Sequence, residues 1–150
     1  MVSLKILKMT MKENYKILGK YIKDMSSETP DIETFLFVKD YISKYQLNID
    51  ITSKALKDKL IEVNTTLKFE DKNENSKKSN FEIIFATIIR IGDEIKEKKD
   101  LEKIILCDVQ KEIYPNLETS FLNLLHNSGY PGIKFEKKID FEKLYNQKFN

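Results

Sequence analysis

The stretch YQLNIDITSKALKDKLIEVNTTLKF, Tyr45 to Phe69, decides the fold. In its first part Tyr45, Leu47, Ile49 and Ile51 alternate with Gln46, Asn48, Asp50 and Thr52. After Lys54 to Asp58 the alternation resumes, with Ile61, Val63, Thr65, Leu67 and Phe69 set against Glu62, Asn64, Thr66, Lys68 and Glu70. Successive side chains of a strand point to opposite faces, so a period of two with one apolar parity marks a half-buried strand. Two such runs joined by a short polar link predict antiparallel neighbours.

Working outward, Asp71 to Asn80 (DKNENSKKSN) holds no apolar residue and reads as an exposed hairpin loop. The run Phe81 to Ile91 then returns as a third alternating strand. Phe81, Ile83, Phe85, Ile89 and Ile91 lie on one face, and Ile84, Ala86 and Ile88 on the other. Apolar on both faces, it is expected to be covered on both, by a helix or by another subunit. Upstream, Tyr15 to Met25 (YKILGKYIKDM) predicts a strand with a bulge at Gly19. Ser26 to Asp31 breaks the pattern and reads as a turn or crossover, and Thr34 to Tyr41 fits either a short helix or an apolar loop.

Downstream the period changes. Leu101, Ile105, Val109, Ile113, Leu117, Phe121 and Leu125 recur every four residues, with Ile104 and Leu124 beside them, and form one stripe on a long helix. Pro115 removes a backbone donor and should bend or break that helix near Lys111 to Tyr114. Gly129 and Pro131 supply the stop, and Asp140 is the expected N-cap of a short helix carrying Phe141, Leu144, Tyr145 and Phe149. Strands followed by helices, without alternation, predict an α+β domain: a four-stranded antiparallel sheet packed with one long helix and a short C-terminal helix. Residues 1–14 are expected to be a flexible N-terminal extension, with a single domain over 15–150.

Composition narrows the function classes. The chain has 150 residues, 41% of them hydrophobic and 33% charged, which suits one folded domain. Its 26 basic and 24 acidic residues give a net charge of +2, and Arg90 is the only arginine. Bidentate arginine contacts to bases and a concentrated basic field are both missing, so no nucleic-acid partner is expected. No apolar run approaches the ~20 residues that span a bilayer, so no membrane insertion is expected. Met1 to Thr10 has neither a continuous apolar core nor a small-residue cleavage site, and a cytoplasmic location follows as the expectation.

No catalytic or metal constellation emerges. Cys107 and His126 are the only cysteine and histidine, which leaves no zinc-ligand set. Cys107 falls in the apolar helix stripe as a packing residue, and His126 sits near the helix end, where a capping role is expected. The four glycines are not grouped into a phosphate loop, so no nucleotide or other cofactor is expected.

Four collinear stretches carry a resemblance. They are YIKDMSSETP (Tyr21 to Pro30), LNIDITSKALKDKLIEVNTTLKFE (Leu47 to Glu70), IYPNLETSFLNLLHNSGYP (Ile113 to Pro131) and KIDFEKLYNQKF (Lys138 to Phe149). The first pairs an aromatic and Lys-Asp with a Glu shortly before proline. The second reproduces paired strands with a short linker. The third has an apolar-aromatic-Pro turn and a Gly-aromatic-Pro close, and the last an Asp-Phe then Leu-aromatic helix. Together, from about Tyr15 onward, they resemble the SecB protein-export chaperone family.

The resemblance implies a passive, ATP-independent chaperone, not an enzyme, assembled as a homotetramer that is a dimer of dimers. It would hold unfolded preproteins competent for export and deliver them to the SecA motor. By the same resemblance Asp24 and Glu28 match first-strand acids that receive the basic, zinc-bearing tail of SecA, and isoleucines around Ile84 stand where relatives carry a further acid. Phe35, Phe37, Tyr41, Phe141, Leu144 and Tyr145 are the candidates for contact with unfolded chains, because the family sets the crossover beside the terminal helix. They also suit a plain core. The alternatives are a SecB-like chaperone dedicated to one partner, such as an antitoxin, and a small enzyme whose site the sequence does not reveal.

Overall fold

A computed structural model describes residues 14–73 and 77–149, so the expected N-terminal extension lies outside the described residues apart from Asn14. Four strands, β1 (Tyr15–Glu28), β2 (Gln46–Ala55), β3 (Leu60–Glu70) and β4 (Asn80–Ile91), form one sheet in the order β1-β4-β3-β2. Every neighbouring pair is antiparallel. Helix α1 (Ile32–Tyr41) crosses from β1 and runs into a 3-10 turn, Ile42–Lys44. The long helix α2, residues 98–127, consists of Lys98–Lys103, a π-helical turn at Ile104–Asp108 and Val109–Asn127. Helix α3 (Phe141–Phe149) ends the described chain. The α+β class and the four-stranded antiparallel sheet read from the sequence are both present.

The period-two pattern sets the burial. Val63, Leu67, Ile83 and Ile89, all of one parity, are fully buried, as are Ile113, Leu117, Phe121 and Leu125 along α2. Each such side chain withdrawn from water is worth ~1.5–3 kcal/mol, so this seam between sheet and helix is the main source of stability. A fully buried polar contact crosses it: Thr65 donates to Gln110 Oε1 at 3.0 Å, and Gln110 Nε2 donates to the Ile105 carbonyl at 3.2 Å. On the opposite parity of β4, Ile84 and Ile88 are only half-buried. The chain itself thus covers one face of the sheet and leaves the other open.

Three expectations need correction. β1 does not end at Met25. Ser26, Ser27 and Glu28 continue to pair with Glu82, Phe81 and Asn80, because β4 is long enough to receive them. Its register shifts fall at Ile17/Gly19, as expected, and also at Ile22/Asp24. Pro115 does not break α2. Its lost bond would have gone to Lys111, and both residues are exposed, so the orphaned carbonyl faces water. The irregularity lies earlier, in the π-helical turn, where Ile104, Ile105 and Cys107 all enter the core. Finally, the polar loop after β3 is not exposed throughout: Ser79 is buried, its backbone N–H donating to the Tyr45 hydroxyl and its carbonyl accepting from it, both at 3.0 Å.

The stop after α2 follows the expected chemistry. Gly129 takes φ +112°, the Tyr130 N–H reaches the Leu125 carbonyl at 3.1 Å, and the Gly129 N–H reaches that of His126 at 3.3 Å. These bonds consume two of the carbonyls that a helix end leaves unpaired. Asp140 caps α3 through the Lys143 N–H at 3.0 Å.

Candidate functional site

The crossover builds the first surface. Asp31 Oδ1 accepts from the Thr34 N–H at 2.7 Å and starts α1, and hydrogen bonding from Thr34 holds the Asp31 carboxyl below its ordinary value. Thr34 and Val38 turn inward, which leaves Ile32 72%, Leu36 55% and Tyr41 41% exposed. The chain then enters β2 through Tyr45, whose buried ring lies 5.4 Å from Phe69 and 6.3 Å from Phe81. Burial pushes its phenol pKa up, so it stays a neutral hydrogen-bonding group at any working pH.

An irregular segment, residues 132–139, forms the facing wall. Ile133, Phe135 and Ile139 are half-buried while Lys134, Glu136, Lys137 and Lys138 are exposed. His126 Nε2 lies 3.0 Å from the Ile133 carbonyl and ties this segment to α2, a different duty from capping its own helix. The Phe135 ring sits 5.6 Å from Phe69 and 6.1 Å from Phe121. Between the segment and the start of β2 runs an open groove of about 900 Å3, lined by Ile42, Tyr45, Leu47, Phe69, Ile133, Phe135 and Ile139 among others. Aromatic and aliphatic walls of this kind bury apolar area without demanding one partner sequence.

The six candidate contact residues separate into two groups. Phe35, Phe37 and Tyr41 sit on α1: Phe35 packs 5.5 Å from Tyr130, and Phe37 stacks 4.6 Å from Tyr41. Phe141, Leu144 and Tyr145 sit on α3 against the first half of α2. There Phe141 meets Tyr114 at 5.4 Å, and the Tyr145 hydroxyl donates to the Lys99 carbonyl at 3.2 Å. Phe141 and Tyr145 are buried, and Leu144 remains exposed. None of the six lines the groove, although Tyr41 directly precedes Ile42 and α3 follows Ile139. Cys107 is fully buried, as its packing role required, and burial pushes its thiol pKa up.

The second surface lies on the open face of the sheet. Asp24, Ser26 and Glu28 stand opposite Ile84, Glu82 and Asn80 in an unbroken register, so they share the face turned away from α2. Glu82 is therefore level with Ser26, between the two first-strand acids, and makes a third carboxylate at this corner. Lys68 lies 3.4 Å from it. Farther along the same face, Lys23 pairs with Glu62 at 3.0 Å, and hydrogen bonding from Asn64 and then Lys23 lowers the Glu62 pKa. Glu82 was invisible as part of this cluster in the sequence because its outward parity acquires meaning only once the β1–β4 register is known.

Comparison with known proteins identifies the family. The profile of the family described as "Preprotein translocase subunit SecB" matches residues 8–150. A protein-export SecB of Pelagibacter ubique is 62% identical over 140 residues, covering 93% of this chain and all of that one. The protein-export protein SecB of Rhodopseudomonas palustris is 24% identical over 131 residues, 87% of this chain and 78% of its own. Among solved structures, the Mycobacterium tuberculosis SecB-like chaperone in complex with a peptide from the HigA1 antitoxin superposes with a TM-score of 0.61 at 11% identity. That superposition covers 85% of this chain and 92% of the chaperone, a likeness of fold.

Proposed function

The chain belongs to the SecB family, and on that premise we propose that it holds unfolded preproteins in an export-competent state without ATP and delivers them to SecA. The observation that carries this reading is the groove between residues 42–47 and 132–139, open to solvent, polar along its rim and floored by rings that are already packed. A preformed aromatic trough needs no nucleotide to gain and lose extended chain segments, and its action is passive. The exposed members of the candidate set, Tyr41 and Leu144, extend the apolar surface beyond the groove, and half-buried Phe35 and Phe37 back it on α1. The 62% identity to a relative named for protein export supports that route over service to one dedicated partner.

Delivery uses the acidic corner of Asp24, Glu28 and Glu82 as the receiver of SecA's basic tail. Assembly is a homotetramer, a dimer of dimers with the long helices between two sheets. What supports it is β1 itself: a 14-residue edge strand on which Leu18, Tyr21, Ile22 and Met25 are all about 45% exposed. A long apolar edge left bare is a template for pairing, and proteins cover such edges. The site of action is the cytoplasm; among the described residues no helix is long and apolar enough to cross a membrane.

The test is light scattering of a chemically unfolded protein diluted from denaturant. Equimolar chaperone should suppress aggregation with no nucleotide present, and Phe135→Ser should weaken the effect. Aggregation that proceeds unchanged in the presence of the wild-type protein would refute the holding function.

A further inference from the structure

Resting on the client groove proposed above, we infer that the groove selects by charge: it favours apolar segments flanked by acidic residues over the same segments flanked by lysines. The apolar side chains of the lining discriminate by size, and polar Ser43 and Gln46 stand beside them without charge. Charge enters at the rim. The outer wall alternates, with Ile133, Phe135 and Ile139 turned to the core and Lys134, Lys137 and Lys138 exposed among the groove-lining residues. Glu136 is the one acid among them.

None of the ion pairs among the described residues engages these three lysines. Their charge is therefore not neutralised locally. On the facing side Lys44 adds a further cation, 5.1 Å from the Tyr41 ring, and Asp71 near Tyr45 is the opposing acid. Among the groove-lining residues the balance is three cations to one anion, although the whole chain is almost neutral. An extended client lying along residues 132–139 passes the three lysines within a few residues of one another, close enough for each to act on a flanking charge before salt screens it.

Each exposed pair contributes little by itself. Exchanging attraction for repulsion at several flanking positions nevertheless adds up to about a tenfold difference in affinity at low salt. Two peptides with one identical apolar core, one flanked by glutamates and the other by lysines, measured by fluorescence anisotropy against the full-length protein, provide the test. The glutamate-flanked peptide should bind about tenfold tighter at ~0.02 M salt, and the gap should shrink toward parity by ~0.5 M. In the triple variant Lys134→Ser, Lys137→Ser, Lys138→Ser the gap should close to within about twofold, with Lys→Arg at the same positions restoring it.

Equal affinities of the two peptides, or tighter binding of the lysine-flanked one, would overturn the charge selection while leaving the groove as the client site. A gap that survives in the triple variant also overturns it, since the preference would then come from elsewhere. If neither peptide binds, the groove reading itself falls, and the selection with it.

Discussion

The two faces of β4 are made of similar residues and have different fates. Phe81, Ile83, Phe85, Ile89 and Ile91 are all buried on the side of the sheet that carries α2. Ile84 and Ile88, on the other parity, stay partly open although they are as apolar. The difference lies in what the chain can supply: a single long helix covers one face of a four-stranded sheet, and α3 packs on that helix and not on the sheet. One face thus carries stability, and the other stays open to solvent. Substitutions should divide along that line.

The largest effect is expected on the sealed face. Phe121 is fully buried on α2 and stacks 6.1 Å from Phe135, so Phe121→Ala removes a core ring and leaves a cavity. A loss of about 3–5 kcal/mol in unfolding free energy follows, read by chemical denaturation. A loss under ~1 kcal/mol would mean that the seam is looser than its packing indicates.

At the boundary of sealed and open regions stands Gly129. Its φ of +112° already disfavours any side chain, and a Cβ there would lie 2.5 Å from the Phe35 ring. Gly129→Ala should cost about 1–3 kcal/mol and also displace Phe35. The measurement is denaturation together with near-ultraviolet circular dichroism of the α1 aromatics. An unaltered aromatic spectrum would show that α1 is not held at this point.

The open face should answer differently. Ile84→Thr is expected to change stability by no more than about 0.5 kcal/mol in denaturation, within the range of surface substitutions. Asp24→Lys with Glu28→Lys should leave both stability and client holding unchanged. The same pair should weaken binding of the basic SecA tail about tenfold in calorimetric titration, more at low salt than at high. Wild-type affinity in the double variant would reduce both acids to surface charges and move the receiver to other residues.

How much of this was legible in the sequence follows from what produces a period. β2, β3 and β4 could be read because one side of each faces a core, and α2 because its stripe repeats every four residues. The π-helical turn could not, since Ile104, Ile105, Leu106 and Cys107 are all apolar and a continuous run has no phase. The last three residues of β1 were lost because Ser26 and Ser27 look like a turn and are strand only through their partners on β4. The groove wall did leave a trace, the alternation of Ile133, Lys134, Phe135 and Glu136, but it lay between two helices where no strand pairs with it. Of the candidate residues, Asp24 and Glu28 share one face as their even spacing required, whereas the six apolar ones divide between α1 and α3.

The smallest expected effect concerns α1, a helix whose outer side is open, and it depends on pH. The Asp31 carboxyl is held below its ordinary value by hydrogen bonding from Thr34, with Lys77 a minor contributor. A carboxyl whose pKa is depressed on folding contributes stability that is present above its unfolded pKa and is lost as pH falls through the folded one. The capping contribution is therefore intact at neutral pH and fades only on acidification below the usual carboxylate range. Asp31→Asn separates the charge from the cap, because asparagine caps a helix about as well and does not titrate. Hydrogen exchange at the α1 amides should speed up on acidification in the wild type, after correction for intrinsic rates, and should lose that component in Asp31→Asn. The α2 amides, sealed in the core, should behave alike in both proteins. An identical acid response of α1 in the two would show that this helix is secured by Thr34 and Val38 in the core, and that its open side owes nothing to the cap.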